Sequence, residues 1–137
     1  MGKIIKIGLT IGVVNLLVGL ALNQTLSYLV PALAAEYQNT ALFRPVTDPL
    51  MTLFFLYPFI VGLALAYFWS IFGKEIKGKT GVEKAWNFAK IYFLIATVPG
   101  MFISYTSFQI SALMVGVWTL SGLVEAFIAG WLLAKNK

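Results

Sequence analysis

Apolar residues run almost unbroken through four stretches of the chain: Ile4 to Val30, Leu50 to Phe72, Glu83 to Ser104 and Phe108 to Ala134. Each is long enough for a helix to cross a hydrocarbon core about 30 Å thick, which takes roughly 20 residues. The runs lack the period-2 alternation of barrel strands, and within a bilayer only helices and closed barrels satisfy every backbone N–H and C=O. The pattern therefore predicts an all-α fold, a four-helix transmembrane bundle made by residues 1–137 as one domain.

Polar residues between the runs predict where helices begin. Asp48 before Pro49 reads as an N-cap with proline at the first helical position, and Thr80-Gly81-Val82-Glu83 reads as a capping box. A weaker box, Thr106 to Gln109, is expected to open the fourth helix after a very short turn. The segment Pro31 to Pro49 forms the sizeable outer loop, and "EYQNTALFRPVTD" is the place in it for a short interfacial helix. Pro58 and Pro99-Gly100 fall inside spans; they read either as kinks that expose backbone at a site or as the ordinary prolines of membrane helices. "KIIK", an apolar run and "PALAAE" mimic a signal peptide cleaved after an A-x-A, but the run exceeds the usual length of such a core, so a retained helix is expected.

Composition agrees with a bilayer. Of 137 residues 60% are hydrophobic and 11% charged, with mean hydropathy +0.87, too little polar surface to cover a water-soluble globule. The net charge of +5 does not imply nucleic acid, because the lysines flank apolar runs instead of gathering on one soluble face. Lys3, Lys6, Lys74, Lys77, Lys79, Lys84, Lys135 and Lys137 fall on one side of a four-span chain, with Arg44 on the other. The positive-inside rule then predicts a multi-pass protein of the cell inner (plasma) membrane with both termini cytoplasmic. Trp69, Trp86 and Trp131 would form the aromatic belt at that boundary, and Lys90 would snorkel to it. The mobile, lysine-rich inner loop "GKEIKGKTGVEK" attracts anionic headgroups.

The chain has no Cys and no His, and five Asp and Glu residues. Disulfides, thiol chemistry, ordinary zinc sites, haem ligation and the commonest general base are excluded. No catalytic residue, metal site or cofactor is expected. A lipid-headgroup enzyme built on Glu36, Arg44 and Asp48 is the least favoured of the readings. Arg44 and Asp48, four apart, read as a surface pair or as a lipid-headgroup contact. Asn23, Gln24, Ser104 and Tyr105 either line an outer cavity or satisfy one another.

The remaining chemistry is an acid in oil. Glu125 lies about nine residues inside the fourth run, and Asn15 about as far inside the first, which puts both near the midplane at 1.5 Å per residue. Thr97 reaches similar depth, so the three make a candidate intramembrane polar site. On the fourth helix Ser121, Gly122, Glu125 and Ala129 share a face; on the first, Gly8, Gly12, Asn15, Gly19 and Asn23 share another. Small residues mark faces where helices approach closely, so the two stripes are expected to meet, with Asn15 hydrogen-bonded to Glu125. A mid-span carboxylate opposes insertion by about 2.5 to 3.5 kcal/mol, which the surrounding Leu, Val, Ile and Phe roughly offset at about 0.3 to 0.6 each. A neutral, protonated carboxyl is the first expectation. It acts either as a proton or cation site in a transport path or as packing glue between helices.

"TALFRP", a basic loop, "VPG" and a late "W...SGLVEAFIAGW" together resemble a group of small bacterial four-helix integral membrane proteins, over Thr40 to Lys135. The resemblance implies four spans and a reason for Glu125; it implies no activity. The preferred reading is a non-catalytic helix-association protein in the lipid bilayer, as a homo-oligomer or an accessory subunit beside other membrane subunits. The alternative is a small oligomeric transporter or channel that uses Glu125.

Overall fold

The structure is a computed structural model and describes residues 1–136, so Lys137 lies outside the described residues. Its elements are α1 (Gly2–Leu29), α2 (Pro31–Tyr37), a 3₁₀ helix over Pro49–Leu56 that runs into α3 (Tyr57–Phe72), α4 (Gly81–Tyr92), a π turn over Phe93–Thr97, α5 (Val98–Ser107) and α6 (Ala112–Lys135). Read through their irregularities, these give four helices long and apolar enough to cross a membrane: Gly2–Leu29, Pro49–Phe72, Gly81–Ser107 and Ala112–Lys135. The chain is thus an all-α, multi-pass membrane protein. Only 17 to 22% of each spanning window is buried within the chain, so most apolar side chains turn outward, which is affordable where the solvent is hydrocarbon.

Local chemistry sets the breaks. Val30 leaves the helical region (φ −128°, ψ 87°) because it precedes Pro31, and Pro31 then starts α2 at its first position. The short outer helix is therefore Pro31–Tyr37 and overlaps the predicted stretch by two residues, Glu36 and Tyr37. Asp48 caps the second span, its Oδ1 accepting from the Leu50 N–H at 2.9 Å. Pro58 has no N–H to give Phe54, and its ring crowds that carbonyl, so the α-helix starts only around it, after the 3₁₀ stretch.

In the third span the Thr80 hydroxyl accepts from the Glu83 N–H at 3.1 Å, and the Glu83 carboxylate accepts from the Lys79 N–H at 2.7 Å, one residue before the cap. Pro99 cannot donate to Ile95, and the Val98 N–H reaches back five residues to the Phe93 carbonyl, which makes the π turn. The fourth span begins later than predicted. Phe108 is extended (φ −115°, ψ 149°), and the Thr106 hydroxyl bonds back to the carbonyls of Phe102 and Ile103, so no box opens there. Ser111 is the cap, accepting from the Met114 N–H at 3.1 Å.

Helix α1 packs along α3, and α6 along α4; contact between α1 and α6 joins these two hairpins. Helices α3 and α4 meet chiefly through rings at one end, where Phe88 lies 5.5 Å from Trp69 and 6.2 Å from Phe68. The core at that end holds Ile11, Leu65, Ala66, Phe88, Ala129 and Leu133. A second cluster, Leu33, Ile110 and Met114, closes the opposite end beneath the outer loop. Lys3, Ile4, Ser70, Leu133 and Asn136 line one cleft, which puts both ends of the described chain at the same end of the bundle.

Candidate functional site

Glu125 lies in the middle of α6, partly buried, and turns toward α1. It meets Gly19 there: a Cβ on that glycine would stand 2.9 Å from Glu125 Oε1. Gly19 therefore leaves the room that the carboxylate occupies. Tyr57 at the head of α3 and Tyr92 at the end of α4 lie within electrostatic range of Glu125 and of one another. Among the described residues no cation and no hydrogen-bond donor engages the carboxylate.

Asn15 is 5% exposed, and its Oδ1 has no hydrogen-bond partner. It stands four residues before Gly19, on the same face of α1 and one turn away. The hydrogen bond predicted between Asn15 and Glu125 is not formed among the described residues: the carboxylate Oε1 lies against Gly19, one turn along α1 from Asn15, and no Asn15 donor engages it. Thr97 is buried in the π turn and packs on Gly122, with its Oγ1 3.5 Å from where a Cβ would stand. Gly122 is three residues, nearly one turn, from Glu125. Asn15, Glu125 and Thr97 thus line facing sides of α1, α6 and the third span. Tyr57 and Tyr92 join them without having been singled out in the sequence, where each reads as an ordinary aromatic of a span.

The small-residue stripes divide differently from the prediction. Gly8 and Gly12 face α3 and not α6: their absent side chains admit Leu63 and Phe59, and a Cβ on Gly12 would stand 2.8 Å from the Phe59 Cα. Their counterpart is Gly62, where a Cβ would overlap the Gly8 carbonyl oxygen. Gly19 alone among the glycines of the α1 stripe turns to α6. On α6, Gly122 faces Thr97 and not α1, with Ser121 partly buried beside it. Ala129 is fully buried in the core with Ile11 and Phe88. Gly130, absent from the sequence reading, admits Phe88 and the Ala85 backbone.

The outer loop is tied to α6 by polar bonds. Both oxygens of Glu36 accept from Ser111, one from its N–H and one from its hydroxyl, each at 2.6 Å. The Trp118 indole donates to the Tyr37 hydroxyl at 2.6 Å, and Phe43 packs tilted against Tyr37 and edge-on to Trp118, at centroid distances of 5.7 and 6.1 Å. Burial pushes the Tyr37 phenol above its ordinary value, outweighing the Trp118 hydrogen bond that draws it down. Arg44 donates to Asp48 at 2.9 Å. The Leu50 N–H first, and Arg44 second, hold the Asp48 carboxyl below the usual carboxylate range. Glu36 is engaged with Ser111 while Arg44 and Asp48 are engaged with each other, so the three do not converge.

Ser104 bonds back to the Gly100 carbonyl at 2.7 Å, and no hydrogen bond joins Asn23, Gln24, Ser104 and Tyr105 among the described residues. At the inner end the Lys135 ammonium sits 3.7 Å from the Trp131 ring centroid, beside a cleft that Lys79 and Lys84 also line.

No family model matches the chain, and no curated protein or solved structure matches it either.

Proposed function

We propose that the chain acts by helix association, as a non-catalytic homo-oligomer or accessory subunit of a larger complex in the cell inner (plasma) membrane. Both termini are then cytoplasmic, which is supported by the lysines at the end where Lys3 and Asn136 share a cleft. The observation that carries the reading is the outward face of α6. Gly8, Gly12, Gly62 and Gly130 are all filled by neighbours within the chain, but Gly116 has nothing within 4 Å of where a Cβ would stand. Leu113 and Leu120 flank it at helical spacing, 46% and 58% exposed, so the notch sits within an outward apolar stripe. An open glycine on such a stripe suits close approach by a second helix.

Blue-native electrophoresis from gently solubilised membranes tests this: oligomers or a larger complex are expected, and a monomer alone would sink the reading. The chain has no cysteine, so single cysteines at Leu113, Gly116 or Leu120 give a second test. They should cross-link between copies if the assembly is a homo-oligomer.

A second reading, a small oligomeric transporter or channel, draws on Glu125, an intramembrane acid without a hydrogen-bond or ionic partner among the described residues. Flux into liposomes should fall for Glu125→Gln; equal flux would remove the carboxylate from the mechanism.

A further inference from the structure

Among the described residues, two oxygen-bearing side chains stand mid-span with no partner to satisfy them. Asn15 Oδ1 is a buried acceptor without a donor, and Glu125 is a carboxylate without a cation. Each deficit is costly where water is scarce, and both have the same sign. A positively charged or hydrogen-bond-donating ligand relieves both at once; an anion or an apolar molecule relieves neither. The surrounding elements hold donors, but among the described residues none of them engages Asn15 Oδ1 or the Glu125 carboxylate. The titratable groups facing Glu125 are Tyr57 from α3 and Tyr92 from α4. Helix α1 presents Gly19 and Asn15, and Lys90, two residues before Tyr92, is exposed.

We infer that Glu125 and Asn15 form an intramembrane binding site for one small monovalent cation, held between α6 and α1. The carboxylate neutralises the charge, Asn15 Oδ1 adds a neutral oxygen, and Gly19 keeps the space open. A single carboxylate selects single charge, because a divalent ion would leave net positive charge in hydrocarbon. Among the described residues no group of three or more His, Cys, Asp or Glu side chains is placed to hold a metal ion of the multi-ligand kind. A proton and a sodium ion share the chemistry that this site recognises. The site concerns occupancy and not flux, so it stands even if the transport reading fails.

The test is protection of the full-length protein, reconstituted in liposomes, from dicyclohexylcarbodiimide, which attacks only a protonated carboxyl free of metal. Labelling is read at Glu125 by mass spectrometry, with Glu125→Gln as the assignment control. Labelling that falls as sodium is added at fixed pH identifies sodium; labelling that falls as pH rises and ignores sodium identifies the proton. In either case Asn15→Ala should weaken the site about tenfold, read as the protecting sodium concentration or as a shift of about one pH unit in the midpoint. Asn15→Ser, which keeps a small acceptor, should stay nearer to wild type and serves if the alanine variant misfolds. Labelling that neither pH nor sodium moves, including none at all, overturns the inference. So does protection that neither Asn15 variant alters.

Discussion

Helices α1 and α3 bring their backbones close together at Gly62, and Gly62→Ala probes that approach directly. The added methyl would overlap the Gly8 carbonyl oxygen and stand 2.9 Å from the Gly12 nitrogen. Non-bonded heavy atoms prefer roughly 3.5 to 4.0 Å, so the helices must part by about 1 Å, and backbone atoms cannot swing aside as a side chain can. A gap of that size forfeits about a quarter to a half of each contact along the seam, where Leu63 sits on Gly8 and Phe59 on Gly12. Overpacking of this kind costs about 1 to 3 kcal/mol, and rigid backbone on both sides puts Gly62 near the upper end.

Gly116→Ala supplies the contrast, because nothing lies within 4 Å of the added methyl. In a monomer it should be neutral or stabilise by up to about 1 kcal/mol, the difference in helix propensity. The two variants should therefore differ by about 2 kcal/mol or more, over tenfold in the unfolding equilibrium. Reversible unfolding in mixed micelles, followed by circular dichroism against the mole fraction of denaturing detergent, measures it. Equal midpoints for the two variants would refute the α1–α3 packing described here.

Glu36→Ala removes both bonds to Ser111 and should destabilise by about 1 to 2 kcal/mol in the same assay, with α6 fraying first at its Ser111 end by hydrogen exchange. Because the folded chain holds the Asp48 carboxyl below its ordinary value of 3.8, the carboxylate favours the ordered loop fully above that value. That contribution is lost as pH falls below it, and NMR of the loop amides should show an acid transition that Asp48→Asn abolishes. Tyr37→Phe leaves the Trp118 indole without its acceptor and should cost about 1 kcal/mol, with a shift in Trp118 emission in a variant carrying no other tryptophan. Pro99→Ala restores an amide N–H to bond Ile95, so the π turn should revert to α-helix, read as slowed exchange across Phe93–Thr97; unchanged exchange would clear proline of causing the turn.

The spans were legible because in a bilayer the apolar run is itself the structural signal. Helix starts were legible where the capping residue acts locally, at Asp48 and Thr80. The start of α6 was missed although Ser111 also caps locally, through Met114; its second partner, Glu36, is distant in sequence and brought near only by the fold. Which way each helix faces was hardest to read. A span that is apolar all round carries no inward stripe of the kind a soluble helix shows, so small residues are the remaining marker. On α1 that marker serves two partners, with Gly8 and Gly12 going to α3 and Gly19 to Glu125. The prolines announced irregularity without naming its type, yet their places now connect to the polar layer. Tyr57 immediately precedes Pro58 where 3₁₀ gives way to α, and Thr97 closes the π turn that Pro99 imposes. Each break delivers one polar side chain to the level of Glu125, so the two irregular spans and the unpaired carboxylate are parts of one arrangement.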